Sequence, residues 1–126
     1  MSGPTGVFVY GTLRADGSHG GLLARHEHLP ARVRGHLYDL PAGYPALVAD
    51  EAAGWVHGEL IRAVDPRLLG LLDHYEGVDE GLYRRVVLRV HLGLRAESAW
   101  TWVMDHPERR GGRPVASGRW RPARRR

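Results

Sequence analysis

Apolar and polar positions alternate most cleanly between Leu82 and Leu92. Leu82, Arg84, Val86, Leu88, Val90 and Leu92 share one face, and Tyr83, Arg85, Val87, Arg89 and His91 the other. This period of two predicts a strand with one buried side. Trp55 to Val64 alternates in the same way, with Val56, Gly58 and Leu60 against Trp55, His57, Glu59 and Ile61. Gly58 within it predicts a bulge or a close approach of another chain segment. Ala31 to Leu40, Ala46 to Ala49 and Ser98 to Met104 read as further strands, the last with Trp100, Trp102 and Met104 on one side. Val7-Phe8-Val9-Tyr10 is β-branched and aromatic without a polar face, as a buried strand should be. The period changes once. After Asp65-Pro66, apolar residues recur at Leu68, Leu69, Leu71, Leu72 and Tyr75, which is the stripe of an amphipathic helix. Asp65 is a good N-cap, Pro66 suits the first helical position and Gly77 suits a left-handed C-terminal stop. Gly20 to His28 reads as a short helix or a structured loop. Five or six strands, short turns and one clear helix predict an α+β fold: a mixed, strongly curved sheet or small β-barrel with one or two flanking helices.

Composition narrows the chemistry. The chain has 126 residues, 43% hydrophobic and 25% charged, which suits one globular domain. Cysteine is absent, so disulfides, thiolate catalysis and Cys-ligated metal are excluded. Lysine is absent as well, and all 18 basic side chains are arginine. Schiff-base catalysis and the phosphate-loop lysine are therefore excluded. The net charge of +4 would suggest nucleic acid. However, Arg109, Arg110, Arg113, Arg119, Arg121, Arg124, Arg125 and Arg126 crowd into the last 18 residues, so the basicity belongs to a terminus and no nucleic-acid partner is expected. The composition places a domain over residues 1–108 and an Arg-rich tail, expected to lose part of its order, over 109–126. No apolar run is long enough to span a bilayer and the first residues lack a charged n-region and an h-region. A cytoplasmic protein without signal peptide or membrane partner is expected.

Two places stand out as chemistry. The strand ending at Tyr10 breaks at Gly11, where the missing Cβ permits a sharp turn or the close approach of a ligand. Thr12 adds a hydroxyl, and successive backbone N–H groups in such a turn can form an anion-binding concavity. The second place is Glu76, which at 100° per residue falls on the apolar stripe, while Asp73 and His74 fall outside it. A carboxylate facing a core costs several kcal/mol unless neutralised or paired. Glu76 is therefore an acid aimed into a cavity with its pKa pushed up, or a solvated end-of-helix residue, or the partner of Arg84 or Arg85. Tyr44, in a Tyr-Pro turn, is a candidate for a pocket wall. Asp16, Ser18 and His19 follow the first turn closely enough to assist there. His26-x-His28 lacks a third ligand at sensible spacing, so no metal is expected.

Taken in order, Val7-Phe8-Val9-Tyr10-Gly11-Thr12-Leu13, Tyr44-Pro45-Ala46-Leu47-Val48, Val56-His57-Gly58-Glu59-Leu60, Leu72-Asp73-His74-Tyr75-Glu76-Gly77, Tyr83-Arg84-Arg85 and Ser117-Gly118-Arg119-Trp120 resemble the γ-glutamylcyclotransferase-like family, in its γ-glutamylamine cyclotransferase (AIG2-like) branch. The resemblance implies a small mixed barrel and a reaction on γ-glutamyl amides. In that reaction the substrate's own α-amine closes a five-membered ring, releasing an amine and 5-oxoproline without cofactor or metal. It also implies that Glu76 is the general acid/base and that Tyr10, Gly11, Thr12 and Leu13 hold the glutamyl end. Many members carry a Tyr in the last strand where this chain has Trp102. A non-catalytic ligand-binding or scaffold protein on the same fold is the alternative.

Overall fold

A computed structural model of the protein describes residues 4–11 and 23–122. Seven strands and one α-helix follow in the order β1 (Val7–Val9), β2 (His28–Asp39), β3 (Pro45–Ala49), β4 (Trp55–Ile61), α1 (Pro66–Tyr75), β5 (Arg84–Leu92), β6 (Arg95–Val103) and β7 (Arg113–Pro114). A 3₁₀ turn at Pro107–Arg110 precedes β7.

Five strands close a barrel in the order β2-β4-β1-β6-β5, the seam being the pair Arg32 and His91 between β2 and β5. Only β1 and β6 run parallel; the other barrel pairs are antiparallel. The expected mixed barrel with a flanking helix is therefore present, with two strands added. β2 is long enough to serve two partners. Its first part pairs with β4, and its end pairs with β3 and β7 outside the barrel. The handover falls at Gly35, where a Cβ would lie 2.6 Å from the Val48 carbonyl oxygen.

Side chains divide between the two faces of the closed sheet. Phe8, Val33, Val56, Leu60, Val90, Ala99 and Val103 fill the interior, and Val86, Leu88 and Leu92 complete the even-numbered face of β5 there. Val7, Val9, Ile61, Trp102 and Met104 face outwards, where Leu72 of α1 covers them. Gly58 is a contact glycine: a Cβ on it would lie 2.2 Å from the Val9 carbonyl oxygen and against the Phe8 ring. The helix is capped as its sequence predicts. Asp65 accepts from the Leu68 N–H at 2.8 Å, and Gly77 takes φ +67°. The N–H groups of Gly77 and Val78 return to the His74 and Asp73 carbonyls, the Schellman arrangement. Leu71 departs from expectation. It is 62% exposed, because α1 lies on the barrel with a narrow seam centred on Leu72 and its far side meets water.

The C-terminal segment is anchored to the body at particular residues, with Pro107, Gly118 and Trp120 buried. The Val115 N–H bonds the Leu37 carbonyl at 2.8 Å. Trp120 is 2% exposed inside the barrel, and its indole N–H donates to Asp39 at 2.8 Å. One buried indole outweighs the loose look of a Gly/Pro/Arg stretch. Among the described residues no helix is long and apolar enough to cross a membrane.

Candidate active site

A cavity of about 360 Å³ opens where β1, α1 and the turn before β3 meet. The strand end brings Tyr10 and Gly11, the helix end Tyr75 and Glu76, the turn Tyr44 and Pro45, and the approach to β5 Leu82 and Tyr83; Trp102 of β6 forms the floor. The volume suits a small molecule. Gly11 is required by packing as much as by the turn, because a Cβ there would lie 2.6 and 2.8 Å from the Pro45 ring. The Tyr44 ring stands 6.2 Å from that of Tyr83. No lining side chain among the described residues is a cation.

Glu76 is the C-cap of α1 and lies at the cavity wall. The ion pairs its sequence neighbourhood allowed are made elsewhere, Arg84 with Asp105 and Arg85 with Asp73. Burial first, and the Asp73 carboxylate second, push its pKa up to about 7. Asp73 is itself held: one oxygen accepts from the Trp102 indole N–H at 2.9 Å and meets Arg85 at 3.0 Å. Two of the four tyrosine hydroxyls at the cavity, those of Tyr10 and Tyr83, spend their protons on backbone. Tyr10 donates to the Trp102 carbonyl at 2.5 Å and Tyr83 to the Pro45 carbonyl. Burial and the neighbouring Glu76 hold both phenols well above their ordinary pKa, Tyr10 also through Tyr83. They remain neutral, and only their lone pairs are left for a ligand. The site therefore combines apolar walls, hydrogen-bond acceptors and one carboxyl group able to gain or lose a proton near neutral pH.

The model of the family described as "Gamma-glutamyl cyclotransferase, AIG2-like" matches residues 7–122. The chain belongs to that family. BH1612 of Halalkalibacterium halodurans, provisionally named a gamma-glutamylcyclotransferase, is 42% identical over 67 residues, which cover 51% of this chain and 60% of that protein. The solved structure of YkqA from Bacillus subtilis superposes with a TM-score of 0.73 at 26% identity, over 94% of this chain and 40% of that one. The match thus spans less than two thirds of either relative. An AIG2-like protein of Mus musculus shares the fold, with a TM-score of 0.57 at 23% identity over 82% of this chain and 78% of that one.

Of the residues singled out from sequence, the fold of this gamma-glutamyl cyclotransferase family member brings Tyr10, Gly11, Tyr44 and Glu76 to one cavity. Thr12, Leu13, Asp16, Ser18 and His19 lie outside the described residues. His28 is engaged at both ring nitrogens, by Glu59 and by the Leu23 carbonyl, each at 2.9 Å. Tyr83, Tyr75 and Asp73 were not singled out for the site. Tyr83 shares the parity of Arg85 and Val87 and so reads as outward-facing. Asp73 sits three residues before Glu76, and that like-charge spacing on one helix was the available signal.

Proposed function

We propose that the protein is a γ-glutamyl cyclotransferase that converts γ-glutamyl amides to 5-oxoproline and a free amine. One observation carries this reading: a carboxyl group with a pKa pushed up to about 7, engaged by no arginine among the described residues, at the wall of an aromatic cavity beside Tyr10 and Gly11. The family membership and the named relative support the reaction class.

The substrate supplies its own nucleophile, which suits a site without Cys, Lys or Ser on its described walls. The α-ammonium, of pKa about 8, must first lose a proton. Glu76 takes it. Transfer to an acid of pKa about 7 runs uphill by about 1.4 kcal/mol, against roughly 5 for an ordinary carboxylate near 4.5. The freed α-nitrogen attacks the γ-carbonyl carbon, forming the ring C–N bond as the carbonyl π pair moves onto oxygen. As the carbonyl re-forms, the amide C–N bond breaks, its electron pair leaves with the amine, and Glu76 returns the first proton to that nitrogen; the second proton of the ring nitrogen passes to the released amine, which departs as an ammonium ion. Ring closure is intramolecular, so the apolar walls act by holding the chain folded for attack. The phenol oxygens of Tyr10 and Tyr83 accept from the α-ammonium, and the stretch Tyr10-Gly11-Thr12-Leu13, which the family resemblance implies holds the glutamyl end, receives the glutamyl carboxylate. Neither metal nor cofactor has a step in this scheme.

The test is 5-oxoproline release from a panel of γ-glutamyl amides, with Glu76→Gln beside the native chain. Release by the native protein alone is the expected result. Release by both would move the base to another residue. Silence of the native protein across the panel would favour a ligand-binding role on this fold.

A further inference from the structure

Some surface charges are neutralised locally, as in the pairs Arg62 with Glu97 and Arg84 with Asp105. A basic group on the barrel surface, away from the candidate active site, is not. Arg32 of β2 stands opposite His57 of β4 and His91 of β5, so that three basic side chains form one row across the seam. In the next row Arg34 stands opposite Trp55. The guanidinium carbons of Arg32 and Arg34 lie 3.9 and 3.6 Å from the centre of the Trp55 ring, and His91 meets that ring edge-on at 5.0 Å. The C-terminal segment adds a further guanidinium. The His57 N–H donates to the Gly118 carbonyl at 2.8 Å. Gly118 takes φ +69°, and a Cβ on it would lie 2.0 Å from the Trp55 carbonyl oxygen. This tight docking sets Arg119 at the rim of a hollow of about 240 Å³ that Arg32, His57 and His91 also line.

No carboxylate lines the hollow among the described residues, and neither Arg32 nor Arg119 has an ion-pair partner there. Asp50 and Glu51 line a different hollow, and Asp50 is bound to His36 and to the Ala52 N–H. Arg34 spends one N–H on the Ala53 carbonyl at 3.3 Å. The His57 pKa is pushed below its ordinary value, by burial first and then by Arg119 and Arg32.

We propose that this hollow binds a phosphate-class oxyanion, a phosphate or pyrophosphate group either free or carried on a small ester. The Arg32 guanidinium is half-buried and held by stacking on Trp55, so its fork is pre-organised for tetrahedral oxygens, and the docked Gly118 brings the exposed Arg119 to the same hollow. A doubly charged anion offsets the mutual repulsion of the cations, as one carboxylate would not. Two guanidiniums and His91 already engage the Trp55 ring, so recognition rests on charge and hydrogen bonds rather than base stacking. Gly93 at the wall has open space where a side chain would stand.

The experiment is a titration of the full chain with sodium pyrophosphate at fixed ionic strength, read by calorimetry and by the His57 imidazole proton resonances. Saturable binding is expected, with the His57 pKa rising by about one unit as the bound anion favours the imidazolium. Arg119→Ala should weaken binding about tenfold. Arg109→Ala, which removes the same charge outside the hollow, should change it less than twofold. Urea midpoints would show that both variants remain folded. ADP binding more tightly than pyrophosphate would point to an ester as ligand, and equal affinities to the free anion; either supports the site. Non-saturating shifts, or shifts that chloride reproduces, would mean an adventitious ion only and overturn the proposal. So would equal losses in the two variants, or binding of an RNA oligomer that pyrophosphate does not displace.

Discussion

Replacing Glu76 by Gln should change the way stability depends on pH, whatever it does to turnover. The carboxyl is near 4.5 in an unfolded chain and is raised to about 7 in the fold. Between those values the native state holds a proton that the unfolded chain has lost. Stability therefore falls as pH rises through that window, and the loss is complete once the native carboxyl has ionised as well. Below about pH 4 the group is neutral in both states and contributes nothing. At about 1.36 kcal/mol per pH unit, a rise from 4.5 to about 7 corresponds to about 3 kcal/mol. That is a large share of the roughly 5–15 kcal/mol holding an ordinary domain together. Glutamine has nearly the same shape and never ionises. The native-minus-variant difference in unfolding free energy should thus be flat below pH 4, move by about 3 kcal/mol against the native protein up to pH 7.5, and be flat again above it. Urea unfolding followed by tryptophan fluorescence, at half-unit steps from pH 4 to 8.5, measures this directly. Other titrating groups are common to both chains and largely cancel. Parallel curves would refute the buried, unpaired carboxyl, and a native protein that gained relative stability with pH would show it to be salt-bridged.

The same ionisation should appear in catalysis: kcat/KM for a γ-glutamyl amide should rise with pH along a limb centred near 7, and a limb near 4.5 would refute the raised pKa of Glu76. Asp65→Ala takes away the acceptor that holds the Leu68 N–H at 2.8 Å and should lower stability by about 1 kcal/mol, read as a shift in urea midpoint. Gly58→Ala drives a methyl to 2.2 Å from the Val9 carbonyl oxygen; it should cost at least about 3 kcal/mol or prevent folding, and native-like denaturation would contradict the packing. Trp102→Phe removes the N–H given to Asp73 and part of a buried ring. A loss of about 2–4 kcal/mol is expected, whereas an unchanged midpoint would mean that the bond carries no weight.

What could be seen in the sequence was what neighbours along the chain decide. The helix ends at Asp65 and Gly77 were legible because caps are local chemistry, and the even face of β5 was legible because alternation is. Closure of the barrel was not. It rests on Arg32 meeting His91, a pairing between residues far apart in sequence that no period announces. The C-terminal segment looked loose because its composition is that of a linker, yet Trp120 and the Gly118 contact with Trp55 fix it. In the site, Glu76 was legible because an acid on an apolar stripe contradicts its surroundings. Its supports were hidden for the opposite reason. Asp73 lies off the stripe and looks solvated, and Tyr83 has the parity of exposed residues. Both are recruited by groups from other elements, Asp73 by Trp102 and Arg85, Tyr83 by the Pro45 carbonyl. Trp102 is the most instructive of these. Against relatives with a tyrosine it looks like a lost hydroxyl at the substrate. In the fold its only donor is turned away from the cavity onto Asp73, the carboxylate that reinforces the raised pKa of Glu76. Trp102 thus acts on the proposed acid/base through its neighbour, by fixing where a like charge sits.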